Sequence, residues 1–312
     1  MSATTASGAA GKPRIGFIGI GMMGHGMAKN LVTKGFPLTV FVHRNREPLK
    51  DLVAAGAREA ANPAALARES DIVFLCVTGT PQVEAVVNGP DGLLAAARPG
   101  LLVVDTSTAE PVSTAAIRAA FAPKGAEFVD APLSRTPREA EEGRLNIMVG
   151  AEDAVFARLE PVLRAFCENV IHAGPPGHGH TLKLINNFLS MTIAASTAEA
   201  VATAVKAGVP VNKLYEIVSA GPINSGIFQM LVGKMLNEND LSGLKFTLVN
   251  AMKDLRYYTH LAESLPATAI VGDAVHQSLV QANLLGFGDK YIASLIEAQE
   301  KLTGAAIVPR QP

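Results

Sequence analysis

One stretch near the start of the chain, Ile15-Gly16-Phe17-Ile18-Gly19-Ile20-Gly21-Met22-Met23-Gly24, constrains the fold more than any other. An apolar run ends on a glycine triplet, and a helical pattern from Met22 to Lys34 follows at once. The first glycine permits a tight turn, the second lets backbone come close to a ligand, and the third lets a helix pack on the strand. In a strand–turn–helix unit the helix N-terminus turns unpaired N–H groups and a positive dipole end toward that ligand. A dinucleotide pyrophosphate is the group this geometry suits.

The same alternation continues for half of the chain. Arg14–Ile18, Leu38–Val42, Asp71–Val77, Leu101–Asp105, Glu127–Asp130 and Asn146–Gly150 are continuous apolar runs separated by helical patterns. Such runs belong to parallel strands covered on both faces, so the spacing predicts a doubly wound α/β sheet of the Rossmann type. The character changes at Gly174-Pro175-Pro176-Gly177-His178-Gly179, a linker by composition. Beyond it the pattern is all helical, from a long run over about Thr181 to Lys206, with later turns at Gly221-Pro222, Asn237–Asp240 and Gly286–Gly288. The division expected is a disordered leader over 1–12, a dinucleotide-binding domain over 13–174 and an all-helical domain over 175–312.

With 312 residues there is length for two such cores, and a formal charge of -1 offers no basic excess for nucleic acid or an anionic membrane surface. No apolar run reaches membrane-spanning length, and the start of the chain lacks the basic and apolar regions of a secretory signal. The two cysteines, Cys76 and Cys167, sit far apart in apolar settings and read as thiols of a reducing, cytoplasmic protein. No His/Cys cluster has metal-ligand spacing, so no metal is expected; His178 and His180 read as linker residues.

About 20 residues beyond the glycine turn, dinucleotide sites carry either a carboxylate for ribose hydroxyls or an arginine for the 2′-phosphate. Here that stretch is Val42-His43-Arg44-Asn45-Arg46, with no carboxylate before Glu47. NADP(H) is therefore expected over NAD(H), with Arg44 on the phosphate and His43, Asn45 or Arg46 beside it. The competing reading is a solvated basic loop. Cofactor contacts are assigned to Gly19, Ile20, Gly21, Met22, Met23 and Gly24, with Val77 and Thr78 at the end of a later strand.

Lys183 and Asn187 lie at i and i+4 on one face of the long helix, among Leu182, Leu184, Ile185, Phe188 and Leu189. A lysine losing solvation there acquires a lower pKa and suits proton transfer near neutrality, although helix-start lysines are commonly just solvated.

Four motifs in order give these residues a context: the glycine turn, Asp105-Thr106-Ser107-Thr108, Asp130-Ala131-Pro132-Leu133-Ser134, and Gly177-His178-Gly179 leading to Lys183, Asn186 and Asn187. A later Lys253-Asp254-Leu255 also fits. The chain resembles the β-hydroxyacid dehydrogenase family. The resemblance implies Lys183 as general acid/base, Asn187 as its partner, Ser107 and Thr108 near the nicotinamide, and Lys253 closing over the cofactor. It implies hydride transfer to a small semialdehyde, or from the corresponding 3-hydroxy acid, and a homodimer or homotetramer built through the helical domain.

The usual family loop after Asp-Ala-Pro is Val-Ser-Gly-Gly; here it is Leu133-Ser134-Arg135-Thr136. The serine stays, while Arg135 and Thr136 replace glycines, a pattern similar to sulfolactaldehyde reductases. Ser134, Arg135 and Thr136 are therefore expected to hold an anionic group, carboxylate or sulfonate. The alternative is that Arg135 points to solvent or pairs with Glu139 or Glu141. Two other functions fit the scaffold: an imine reductase, disfavoured by Lys183, and a non-catalytic nucleotide-binding module, disfavoured by Lys183, Asn187 and Ser107 together.

Overall fold

A computed structural model describes residues 11–43 and 45–308. Most of the expected leader, and Arg44, lie outside the described residues. The chain divides into two compact units, Met1–His180 and Thr181–Pro312.

The first unit is built on a nine-stranded sheet. Its strands are β1 (Ile15–Ile18), β2 (Leu38–Phe41), β3 (Arg58–Glu59), β4 (Ile72–Leu75), β5 (Leu102–Asp105), β6 (Glu127–Asp130), β7 (Leu133–Ser134), β8 (Leu145–Gly150) and β9 (Cys167–Gly174). Their order is β3-β2-β1-β4-β5-β6-β8-β7, with β9 also on β8. All pairings from β3 across to β6 are parallel; β8 runs antiparallel to β6 and β7 and parallel to β9.

Side-chain alternation explains why these strands read as unbroken apolar runs. Ile72 and Phe74 of β4 join Ile15, Phe17, Leu102 and Val104 in one core. Val73 and Leu75 join Ile18, Leu101 and Val103 in another. Each face is covered by helices, as a buried parallel sheet requires. Helices α1 (Gly24–Thr33), α2 (Leu49–Ala54), α3 (Pro63–Glu69), α4 (Thr80–Asn88), α5 (Pro111–Phe121), α6 (Pro137–Glu142) and α7 (Asp153–Leu163) complete the unit. Met27 and Leu31 of α1 with Leu159 and Val162 of α7 cover the first face. Leu66 of α3, Val83 of α4 and Phe121 of α5 cover the second. The doubly wound architecture expected from the sequence is present.

The second unit holds α8 (His178–Lys206), whose first residues belong to the first unit, α9 (Val211–Ala220), α10 (Gly226–Phe228), α11 (Lys234–Glu238), α12 (Leu248–Ser264), α13 (Ile270–Ala282) and α14 (Leu295–Thr303). Its core joins Met191, Ala194, Ala198 and Ala202 of α8 to Ala251 and Leu255 of α12, Leu279 of α13 and Ile296 of α14. Small residues on α8 let the neighbouring helices approach closely.

Three expectations need correction. β3, β7 and β9 were not anticipated: the first two have two residues each, and Glu168, Asn169 and His172 break the continuous apolar pattern of the third. The helix expected from about Thr181 begins at His178, so part of the linker is helical. That helix has 29 residues and a stretch of mean hydropathy 1.4, long and apolar enough by composition to cross a membrane. Its buried side chains form the core of the helical unit. Cys76 and Cys167 are both free.

Candidate active site

At the glycine turn, the three glycines differ in what surrounds them. Gly19 has φ +97°, and a Cβ there would lie 2.2 Å from the Cys76 carbonyl oxygen. A Cβ on Gly24 would lie 1.9 Å from the carbonyl oxygen of Gly19. Around Gly21 nothing lies within 4 Å. The first and third glycines thus answer clashes inside the protein, and the second leaves an open cradle. No side chain caps α1, and no acidic residue occupies its first turn. The turn lies between β2 and β4 at the end of β1, where the strand order reverses and open α/β sheets bind their ligands. Open backbone at Gly21 and an uncapped helix start fit a dinucleotide pyrophosphate.

Beyond β2, His43 and Asn45 are exposed, and Asn45 Oδ1 accepts the Glu47 N–H at 3.1 Å. Arg46 pairs with Glu59 of β3 at 2.6 Å. Past β4, Val77 is half-buried and Thr78 exposed. The Val77 N–H donates to the Ser107 hydroxyl at 3.0 Å. Ser107 is itself oriented by its N–H donating to Asp105 Oδ1 at 2.9 Å, and the adjacent Thr108 is half-buried.

In the loop expected to hold substrate, Ser134 is half-buried on β7 opposite Asn146. Arg135 takes φ +83°, a left-handed conformation that favours glycine. Its guanidinium is engaged by Glu168 of β9 and the Arg144 carbonyl. Thr136 forms a capping box with Glu139 at the start of α6, and its hydroxyl holds the Glu139 carboxyl below its usual range. The sequence placed both side chains on an anion; here both have partners within the protein. Glu168 was not among the partners anticipated.

In the helical unit, Lys183 and Asn187 of α8 meet Lys253 and Asp254 of α12. Asn187 is buried and donates its amide to Asp254 Oδ2 at 2.6 Å. Lys253 Nζ lies 2.8 Å from Asp254 Oδ1 and 5.1 Å from the Tyr257 ring centre. Burial pushes the Lys183 amine down from its ordinary pKa; Asp254 opposes this and Lys253 adds to it. A half-buried lysine with lowered basicity, beside a fixed amide, is suited to donate and recover a proton. Asp254 carried no assigned role in the sequence. Its signal was its place in the Lys253-Asp254-Leu255 run that fits the family pattern. Among the described residues, no group of His, Cys, Asp and Glu side chains could hold a metal ion.

Residues 14–174 match the model of the NAD-binding domain of 6-phosphogluconate dehydrogenase. Residues 177–298 match that described as NAD-binding of NADP-dependent 3-hydroxyisobutyrate dehydrogenase. The chain is 34% identical over 299 residues to 2-(hydroxymethyl)glutarate dehydrogenase of Eubacterium barkeri, covering 94% of this chain and 97% of that protein. It is 32% identical over 283 residues to 3-sulfolactaldehyde reductase of Escherichia coli, covering 91% and 94%. The crystal structure of 3-hydroxyisobutyrate dehydrogenase from Salmonella typhimurium superposes with a TM-score of 0.79 at 28% identity, covering 91% of this chain and 99% of that one. With the dinucleotide turn and the helical unit both matched, the chain belongs to the β-hydroxyacid dehydrogenase family of NAD(P)-dependent oxidoreductases.

Proposed function

We propose that this protein reduces a small anionic semialdehyde, or oxidises the corresponding 3-hydroxy acid, with NADP(H) as the preferred cofactor. The observation that carries the reading is the Lys183–Asn187–Asp254 cluster, a half-buried amine of lowered basicity beside a fixed amide. A nicotinamide dinucleotide bound at the glycine turn supplies or accepts the hydride. Lys183, as the ammonium, gives its proton to the carbonyl oxygen in reduction; as the amine, it takes the hydroxyl proton in oxidation. Asn187, anchored by Asp254, presents its remaining amide capacity to the substrate. Ser134 and its loop backbone receive the anionic end, and Ser107 and Thr108 the reacting end. Arg135 contributes the left-handed backbone of that loop. Lys253 receives the cofactor.

The preference for NADP(H) rests on Arg44, with no carboxylate before Glu47. The description of the second family model, which names an NADP-dependent enzyme, supports it. The protein is further proposed to be a cytoplasmic homodimer or homotetramer, in line with its two free thiols. Light scattering of purified protein tests the assembly.

The deciding assay is steady-state turnover of succinic, tartronic, methylmalonic and sulfolactic semialdehydes with NADPH and with NADH. Turnover of one of them with a kcat/KM at least tenfold higher for NADPH is the expected result, and Arg44→Glu should reverse the preference. No turnover of any semialdehyde or hydroxy acid would sink the catalytic reading; a strong NADH preference would sink the cofactor assignment.

A further inference from the structure

The first turn of α8 is held by buried groups that neither the glycine turn nor the Lys183 cluster uses. Asp130, buried at the end of β6, accepts the Gly177 N–H at 2.7 Å with Oδ1 and the His180 N–H at 2.8 Å with Oδ2. A carboxylate from another element thus satisfies two donors at the helix start, where the dipole favours negative charge. The fit excludes side chains. A Cβ on Gly179 would lie 2.6 Å from the Met148 carbonyl oxygen, and one on Gly150 would lie 2.7 Å from both Asp130 carboxylate oxygens.

His180 itself is fully buried. Its Nδ1 lies 2.8 Å from Thr114 Oγ1 on α5, and its Nε2 lies 3.8 Å from Asp105 Oδ2 at the end of β5. Nε2 and Asp105 Oδ2 are both buried without a hydrogen-bond partner. Their separation is an electrostatic contact, too long for a hydrogen bond. The Glu110 carbonyl, which the Thr114 hydroxyl also approaches at 3.2 Å, already accepts the Thr114 N–H at 3.1 Å. The hydroxyl has one hydrogen for two acceptors; given to Nδ1 over the shorter 2.8 Å contact, it leaves the ring proton on Nε2, facing Asp105. Burial raises the Asp105 carboxyl, and His180 and the Ser107 contacts oppose that rise. Two such groups in a dry interior are mutually dependent.

We infer that His180, held between Thr114 and Asp105, is a positioning residue that acts with Asp130 to set the start of α8 and thereby the place of the Lys183 amine. Lys183 follows three residues later, on the neighbouring turn of the same helix. The Asp105 carboxylate that faces His180 also takes the Ser107 N–H, and the Ser107 hydroxyl takes the Val77 N–H. One buried carboxylate therefore serves both His180 and Ser107. The inference rests on Lys183 as the acid/base, but its test needs no substrate.

The experiment compares His180→Leu, His180→Asn and His180→Gln in the full-length protein. A glutamine can place a donor where Nε2 stands; an asparagine reaches only the Nδ1 position; a leucine keeps neither. The readout is the pH midpoint for acylation of Lys183 by acetic anhydride, followed by peptide mass spectrometry, with NADPH affinity measured alongside. Leu and Asn should move the midpoint upward by about half a pH unit or more as the amine regains water. Gln should stay within about 0.2 unit of wild type, and NADPH affinity should change less than threefold throughout. Where a semialdehyde is turned over, kcat should fall tenfold or more in Leu and Asn with KM within threefold. An unchanged midpoint in Leu, or equal shifts in all three variants together with lost NADPH affinity, would overturn the inference. If a leucine or asparagine chain does not fold, Asp105→Asn, which removes the charge His180 faces, should give the same upward shift. A wild-type protein that labels at Lys183 but turns over no substrate would count against the proposed function alone.

Discussion

Asn187 on α8 and Asp254 on α12 are joined by a 2.6 Å side-chain hydrogen bond, although 67 residues separate them in the chain. That bond fixes the amide beside Lys183, and the same carboxylate raises the Lys183 pKa against the lowering effect of burial. Asp254→Asn removes the opposing charge, so the amine becomes less basic still. In the reducing direction, which needs the ammonium, kcat falls as pH rises through the Lys183 pKa. The variant should move this limb to lower pH and reduce kcat by about tenfold or more. pH–rate profiles in both directions check it, and an upward shift would contradict the electrostatic account.

Lys183→Met should separate chemistry from stability. Its folded pKa lies below the ordinary value, so the protonated form is penalised in the folded protein at neutral pH; that penalty is relieved as pH rises through the unfolded pKa. Methionine keeps the length without the charge. Turnover should fall by about 10²–10⁴-fold, while neutral-pH stability rises by about 0.5–2 kcal/mol. Thermal melts at pH 7 paired with steady-state rates measure both, and a lower Tm would count against the burial argument.

The glycine turn makes opposite predictions at two of its positions. Gly24→Ala drives a Cβ onto the Gly19 carbonyl and should cost about 1–3 kcal/mol in stability. Gly21→Ala meets nothing within 4 Å, so the free protein should melt as wild type does. Its methyl group would occupy the cradle instead, and NADPH affinity should weaken by tenfold or more. Fluorescence titration of the cofactor distinguishes the two, and unchanged affinity in Gly21→Ala would place the pyrophosphate elsewhere.

Arg135→Gly tests whether the guanidinium or the backbone matters. The substitution relieves a left-handed residue at φ +83° and removes a partly exposed pair with Glu168. These effects oppose one another, so Tm should change little, in keeping with about 0–1 kcal/mol for such pairs. KM for the preferred semialdehyde should stay within threefold. A tenfold rise would return the arginine side chain to the substrate.

His25 on α1 lies between Glu141 on α6, at 2.6 Å, and Asp51 on α2, at 2.8 Å. Burial lowers its pKa, but hydrogen bonds to Glu141 and Asp51 outweigh that and raise it above the ordinary value. A raised folded pKa means that this tie is fully present below the unfolded value and is lost as pH climbs through the folded one. His25→Gln should therefore destabilise by about 1 kcal/mol at pH 6 and by less at pH 8.5. Urea melts at the two pH values check the sign.

The glycine turn was legible because its demands are local: a left-handed Gly19 and a close Gly24 restrict residue type whatever lies elsewhere. The alternating strands were legible because a doubly covered sheet demands apolar residues on both faces. What escaped depends on contacts across the chain. Asp254 gains meaning only when α12 brings it to Asn187, and Glu168 only when β9 passes beside Arg135. His180 read as a linker residue because the glycines around it suggested flexibility. Gly179 answers a clearance requirement instead, and the histidine beside it is fully buried.

The loop proposed to hold substrate begins on β7, an edge strand joined, among the described residues, to the rest of the sheet only through β8, while the glycine turn follows β1 in the middle of the sheet. Thr136 caps α6, and α6 reaches α1 through Glu141 and His25, so mutations at residues 133–135 disturb fewer of the contacts that hold the cradle helix than mutations at Thr136 do. On the proposed reading such a scaffold can drift in the compound it accepts while keeping its reductant, which makes residues 133–135 the place to randomise in a library aimed at new specificity.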